Sequence, residues 1–173
     1  MVYFNGFSLQ GEEAFFQDYL THNEYTVAGF SYGAQQALEY ALVSSKRIDR
    51  LILLSPAFFQ MHTAAFIRTQ LRYFKADAHA YAKQFLLNTA YPSTQSLDAY
   101  FLLGKEQELQ DLLNYVWDVE KIKILQDRGI KIEVFLGEQD KIVESTKSME
   151  FFSSLCSTYL IKSVGHLLCK ESK

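Results

Sequence analysis

Five short apolar runs, VYF at 2–4, YTVAGF at 25–30, RLILLSP at 50–56, KIEVFLG at 131–137 and STYLIKS at 157–163, are separated by stretches of helical periodicity, and this alternation constrains the fold most strongly. A strand that lies parallel to its predecessor needs a crossover of a dozen or more residues, which a helix usually supplies. The helical patterns EEAFFQDYL, AQQALEYALVSS and SMEFFSSL stand where such crossovers belong. RLILL is continuously apolar after its first residue, as a strand buried on both faces should be. The pattern predicts an α/β fold: a mostly parallel sheet flanked by helices on both faces.

One region breaks the rhythm. Residues 58 to about 128 read as helix throughout, with breaks near Tyr91-Pro92, Gly104 and Gly129. Some seventy residues are too many for a connection and too strongly patterned for a linker. We therefore expect one domain over 1–173 with a helical cap insertion at about 58–128, lying over the strand ends. A net charge of -3 points to neither nucleic acid nor a membrane surface. MVYFNGF at the start has no basic leader pattern and no apolar run is long enough to span a bilayer, so the expected location is cytoplasmic.

The second run ends in VAGFSYGA, with Ser31 between Gly29 and Gly33 on a strand-to-helix corner. Glycines two before and two after let strand and helix approach closely and leave the hydroxyl projecting from the turn. A serine hydroxyl is a weak nucleophile, so it needs a histidine to take its proton and a carboxylate to orient that imidazole. Asp140 follows the fourth run in GEQDKIV, and His166 follows the fifth in VGHLL. Serine, acid and histidine thus occur in that order at successive strand ends, where open α/β sheets gather their sites. Glu144 and Asp118 are the substitute acids, and Glu138 is a poorer one.

Such chemistry also needs donors for a developing oxyanion. The N–H of Tyr32, the residue after the serine, is one candidate, and the N–H of Phe7 in the Asn5-Gly6-Phe7-Ser8 loop is the other. The four histidines and two cysteines, Cys156 and Cys169, show no metal-ligand spacing and no C-x-x-C motif, and no G-x-G-x-x-G or P-loop is present. No metal and no cofactor is expected, and the cysteines read as buried thiols.

NGF near the start, GFSYGA, GEQDKIV and GHLL together resemble the oxyanion loop, elbow, acid loop and histidine loop of the α/β-hydrolase superfamily. The chain is trimmed relative to that family, with one strand before the oxyanion loop and NGF where HG is usual. Within the superfamily it resembles the short, atypical pimeloyl-[acyl-carrier protein] methyl ester esterases of biotin synthesis, which share the early G-F loop, the G-F-S-x-G-A elbow, I-E-V-F-x-G before the acid, and a terminal H-L-L. The resemblance implies a trimmed α/β-hydrolase fold and a serine carboxylesterase that uses Ser31, Asp140 and His166 to release pimeloyl-carrier protein and methanol. It also implies acyl-carrier protein as partner. That protein is acidic, and Arg68, Arg72 and Lys75 fall on one face of a predicted cap helix where they would attract it. The alternatives are a generic short-chain esterase or thioesterase, and a hydrolase-like binding module without turnover.

Overall fold

The computed structural model describes residues 1–170. Five strands, β1 (Val2–Phe4), β2 (Thr26–Phe30), β3 (Arg50–Leu54), β4 (Lys131–Gly137) and β5 (Ser157–Ile161), form one sheet in sequence order. Every pair is parallel: Val27 lies opposite both Val2 and Leu51, Leu51 opposite Ile132, and Phe135 opposite Tyr159. All five carboxyl ends therefore open on the same edge of the sheet. The loops after β1, β2, β3, β4 and β5 meet there.

Alternating side chains feed two cores. Val27, Leu51, Leu53, Ile132 and Val134 point to the face covered by α1 (Tyr32–Val43), α5 (Val119–Asp127) and α6 (Ser145–Ser153). Ala28, Phe30, Ile52 and Leu54 point to the other, where Phe16, Leu86 from α3 (Ala78–Ala90) and Leu167 pack on them. Each fully buried Leu, Ile or Phe in these layers contributes about 1.5–3 kcal/mol relative to exposure. Trp117 ties the first layer together: its indole meets Phe152 edge-on, and its Nε1–H donates to the Ala57 carbonyl at 2.9 Å.

The helical middle region divides into two parts with different attachments. α2 (Ala64–Ala76) packs on α3 and on α4 (Glu106–Asn114), and their apolar faces form a third cluster with Phe7, Ala57 and Val143 at the carboxyl edge of the sheet. Caps set the helix ends: Thr63 Oγ1 accepts from the Phe66 N–H at 3.2 Å, and Asp77 closes α2 while its Oδ1 accepts from the Ala80 N–H at 2.9 Å. α5 is a correction to the expected 58–128 insertion. Its Ile122 and Leu125 are buried against α1 and the sheet, so it is the crossover helix leading into β4.

Two predicted helices are shorter than their patterns. EEAFFQDYL yields only a 3₁₀ turn, Glu12–Phe16, because Gly11 starts it in the left-handed region with no side-chain cap and Glu12 is pulled inward. SLDAYFLLG yields the 3₁₀ turn Asp98–Tyr100 and then an extended stretch that pairs with the loop after β1, Leu9 opposite Phe101. No helix is long and apolar enough to cross a membrane among the described residues.

Candidate active site

Ser31 follows β2 directly and precedes α1, and its backbone has φ 54 and ψ -112. A positive φ on a non-glycine residue costs about 1–3 kcal/mol and persists only when the surroundings enforce it. They do so through the flanking glycines. A Cβ on Gly29 would strike the Gly33 carbonyl, and one on Gly33 would strike the Phe4 carbonyl and lie 2.6 Å from that of Asn5. Gly33 is thus where the loop after β1 rests backbone to backbone on the first turn of α1. The Ser31 N–H donates to the Leu54 carbonyl at 2.9 Å, which anchors the corner to β3.

Three side chains from three loops meet at this corner. Ser31 Oγ lies 2.9 Å from His166 Nε2, and His166 Nδ1 lies 2.6 Å from Asp140 Oδ2. The other carboxylate oxygen, Oδ1, accepts from the Ile142 N–H at 2.7 Å and the Val143 N–H at 3.0 Å. Asp140 therefore performs the ordinary loop-capping job of a post-strand aspartate and still presents Oδ2 to the histidine. That contact sets the tautomer: Nδ1 carries the proton toward the carboxylate, and Nε2 is left to accept the serine hydroxyl. All three side chains are at most 1% exposed.

The histidine loop is fixed from several sides. Ser55 Oγ donates to the His166 carbonyl at 2.6 Å, the Leu167 N–H donates to the Thr89 carbonyl of α3 at 3.1 Å, and the Phe30 ring lies 5.1 Å from the imidazole. Gln35, one turn into α1, donates from Nε2 to the Ala57 carbonyl at 2.9 Å and to the Leu112 carbonyl of α4 at 3.1 Å, which ties the elbow helix to the cap. Ser55, Thr89 and Gln35 escape sequence reading because their partners are distant in the chain. The only hint is Ser55-Pro56 at the end of an otherwise apolar strand.

Phe7 and Tyr32 line a common cavity of about 450 Å³ with Asn5, Gly6, Gln36 and Gly104. Neither N–H donates to another protein group among the described residues. A second cavity of about 490 Å³ lies between Phe59, Phe66, Phe85 and Leu112 of the cap region and the Asp140–Ser145 loop. Ser31 and His166 line neither.

The remaining predicted residues lie apart. Arg68 and Arg72 line an exposed depression on α2, and no carboxylate is within ion-pair distance of either among the described residues. Lys75 is occupied, 3.0 Å from Glu106 of α4. Of the substitute acids, Asp118 caps α5, Glu144 precedes α6 and pairs with Lys147 at 3.2 Å, and Glu138 accepts from the Ser163 N–H. Cys156 and Cys169 are free and half-buried, and no group of three His, Cys, Asp or Glu side chains could hold a metal ion among the described residues.

Comparison with known proteins adds the wider context. A family model described as "alpha/beta hydrolase fold" matches residues 12–103, just over half of the chain, a span that contains Ser31 and ends before Asp140. No curated protein matches the sequence. Among solved structures, carboxylesterase CesB from Bacillus subtilis superposes with a TM-score of 0.54 at 18% identity, over 83% of this chain and 53% of that one. The chain thus spans about half the length of that esterase. BioG from Haemophilus influenzae superposes with a TM-score of 0.59 at 12% identity, over 96% of this chain and 88% of that one. MenH from S. aureus does so with a TM-score of 0.58 at 16% identity, over 95% and 85%. At these identities the likeness is one of fold.

Proposed function

The chain belongs to the α/β-hydrolase fold family, and within it we propose that the protein is a serine carboxylesterase acting on the methyl ester of pimeloyl-[acyl-carrier protein]. The observation that carries the esterase reading is the buried hydrogen-bonded chain from Asp140 through His166 to Ser31. In this reading Ser31 Oγ attacks the ester carbonyl as His166 Nε2 takes its proton, and the Asp140 carboxylate stabilises the imidazolium that results. The oxyanion is met by the N–H groups of Tyr32, at the positive end of α1, and Phe7. His166 then gives its proton to the departing methoxide. Methanol leaves an acyl-serine, and a water deprotonated by His166 releases the acid.

Three features support the carrier-bound substrate. The sequence resembles esterases of that specificity, the cavity beside Asp140 has one wall of Phe59, Phe66, Phe85 and Leu112 against which an acyl chain can lie, and Arg68 and Arg72, without a carboxylate partner among the described residues, offer positive charge to an acidic carrier. The pairing of Lys75 with Glu106 removes one charge from that face and favours, as a second reading, a short-chain esterase that needs no carrier.

Single-turnover hydrolysis of pimeloyl-carrier-protein methyl ester, beside p-nitrophenyl acetate and with Ser31→Ala as control, separates the readings. Fast Ser31-dependent cleavage of the carrier ester with slow cleavage of the acetate is the expected result, because binding energy from the carrier is used at the reacting centre. Cleavage of the acetate alone gives the second reading, and no Ser31-dependent cleavage of either removes the enzyme.

A further inference from the structure

Glu12 is completely buried in the 3₁₀ turn after the first loop, and no step above uses it. Its Oε1 accepts from the Gly6 N–H at 2.7 Å and from the Tyr3 hydroxyl at 3.2 Å, while its Oε2 is buried without a partner among the described residues. Burying a carboxyl group with one oxygen unsatisfied is costly, so this one has a local reason to be there. The reason lies in what it holds.

Gly6 is bound on both sides. Its N–H is taken by Glu12, and its carbonyl accepts from the Leu9 N–H at 3.1 Å. The Gly6–Phe7 peptide is planar, so turning its carbonyl toward Leu9 turns the Phe7 N–H the opposite way. That N–H has no protein partner among the described residues and belongs to a residue sharing a cavity with Tyr32. Gly6 has no room to give way: a Cβ there would lie 2.7 Å from the Phe30 ring, which itself packs on His166. Asn5 Oδ1, accepting from the Gly11 N–H at 3.0 Å, closes the loop on the turn that carries Glu12.

We propose that Glu12 is a positioning residue: by holding the Gly6 N–H it fixes the Asn5–Gly6 peptide, and with the Leu9 N–H fixing the next peptide by its carbonyl it aims the Phe7 N–H at the oxyanion formed on the Ser31 adduct. The inference rests on the serine-hydrolase reading and not on the identity of the substrate. Burial pushes the Glu12 carboxyl above its ordinary range, against the hydrogen bonds that pull it down.

The test is phosphonylation by an alkyl fluorophosphonate, in which Ser31 Oγ bonds to phosphorus, fluoride leaves, the proton passes to His166 and the phosphoryl oxygen occupies the oxyanion position. Glu12→Met fills the space without an acceptor, and Glu12→Gln keeps one. The expected result is a maximal labelling rate lowered about 10- to 100-fold in Glu12→Met at unchanged half-saturation, with Glu12→Gln recovering the rate to within about threefold, as displacement of one oxyanion donor requires. Labelling of Glu12→Met at the wild-type rate would overturn the proposal, as would Glu12→Gln labelling as slowly as Glu12→Met. Because the phosphonate needs neither carrier nor pimeloyl chain, this outcome is independent of whether the carrier ester is cleaved.

Discussion

The carbonyl of Tyr91 stands where a Cβ on Gly165 would be, so the loop carrying His166 rests directly on the end of cap helix α3. A methyl group at Gly165 has to displace backbone rather than a flexible side chain, and the shift passes to the neighbouring histidine. We expect Gly165→Ala to lower Ser31-dependent ester hydrolysis about 100-fold, the usual consequence of misplacing a catalytic group by about 1 Å. Steady-state kinetics with a p-nitrophenyl ester checks this. Wild-type kcat in the variant would mean that the loop adjusts without moving the imidazole.

Asp140 makes two separable kinds of contact, to the Ile142 and Val143 amides through Oδ1 and to His166 through Oδ2. Asp140→Asn can keep the first while presenting an amide N–H to the histidine, which favours the wrong imidazole tautomer. The expected loss in kcat is about 10⁴-fold, with little change in melting temperature. Asp140→Ala also strips two amides of their acceptor and should lower the melting temperature as well. Thermal denaturation and kinetics of the two variants distinguish the roles.

Residues at strand ends were legible because their position follows from the strand pattern alone. Ser31, Asp140 and His166 each stand just beyond an apolar run, and parallel pairing of β2, β4 and β5 carries those ends to one edge. Glu12 was not legible, since EEAFFQDYL reads as a helix between strands and only the fold brings Tyr3 and Gly6 to its carboxyl group. The attachment of α5 is hidden for a related reason. Periodicity shows that Ile122 and Leu125 face something apolar, and it cannot say whether that surface is the sheet layer or the cap.

Burial raises the Cys156 thiol from its ordinary 9.0 to about 11. The folded chain therefore holds that proton more tightly than the unfolded chain, and the stability this confers is complete below about pH 9 and is lost as the pH rises to about 11. Tyr81, raised from 10.0 to about 12, begins to contribute in the same sense only above pH 10. We expect the melting temperature of Cys156→Ala to fall less between pH 8.5 and 10 than that of wild type, as read by circular dichroism, a window that runs from about half a unit below to about one unit above the thiol's ordinary value of 9.0. An identical fall in both would assign the loss to other groups, such as Cys169, whose thiol burial also raises.

Arg68 and Arg72 lie one turn apart on the exposed face of α2, and neither is paired with a carboxylate among the described residues. Charges so exposed add little to stability, so reversing them should leave the fold intact. Their effect on an acidic partner is larger because long-range attraction raises the encounter rate, and rim charges act mainly there. We expect Arg68→Glu with Arg72→Glu to lower kcat/KM for the carrier-bound ester roughly tenfold or more at low ionic strength, to leave p-nitrophenyl acetate hydrolysis unchanged, and to lose most of its effect at about 1 M salt, where screening shortens to about 3 Å. Equal losses on both substrates would place the two arginines in the support of the fold. A carrier-specific loss that persists in high salt would mean direct contact rather than steering.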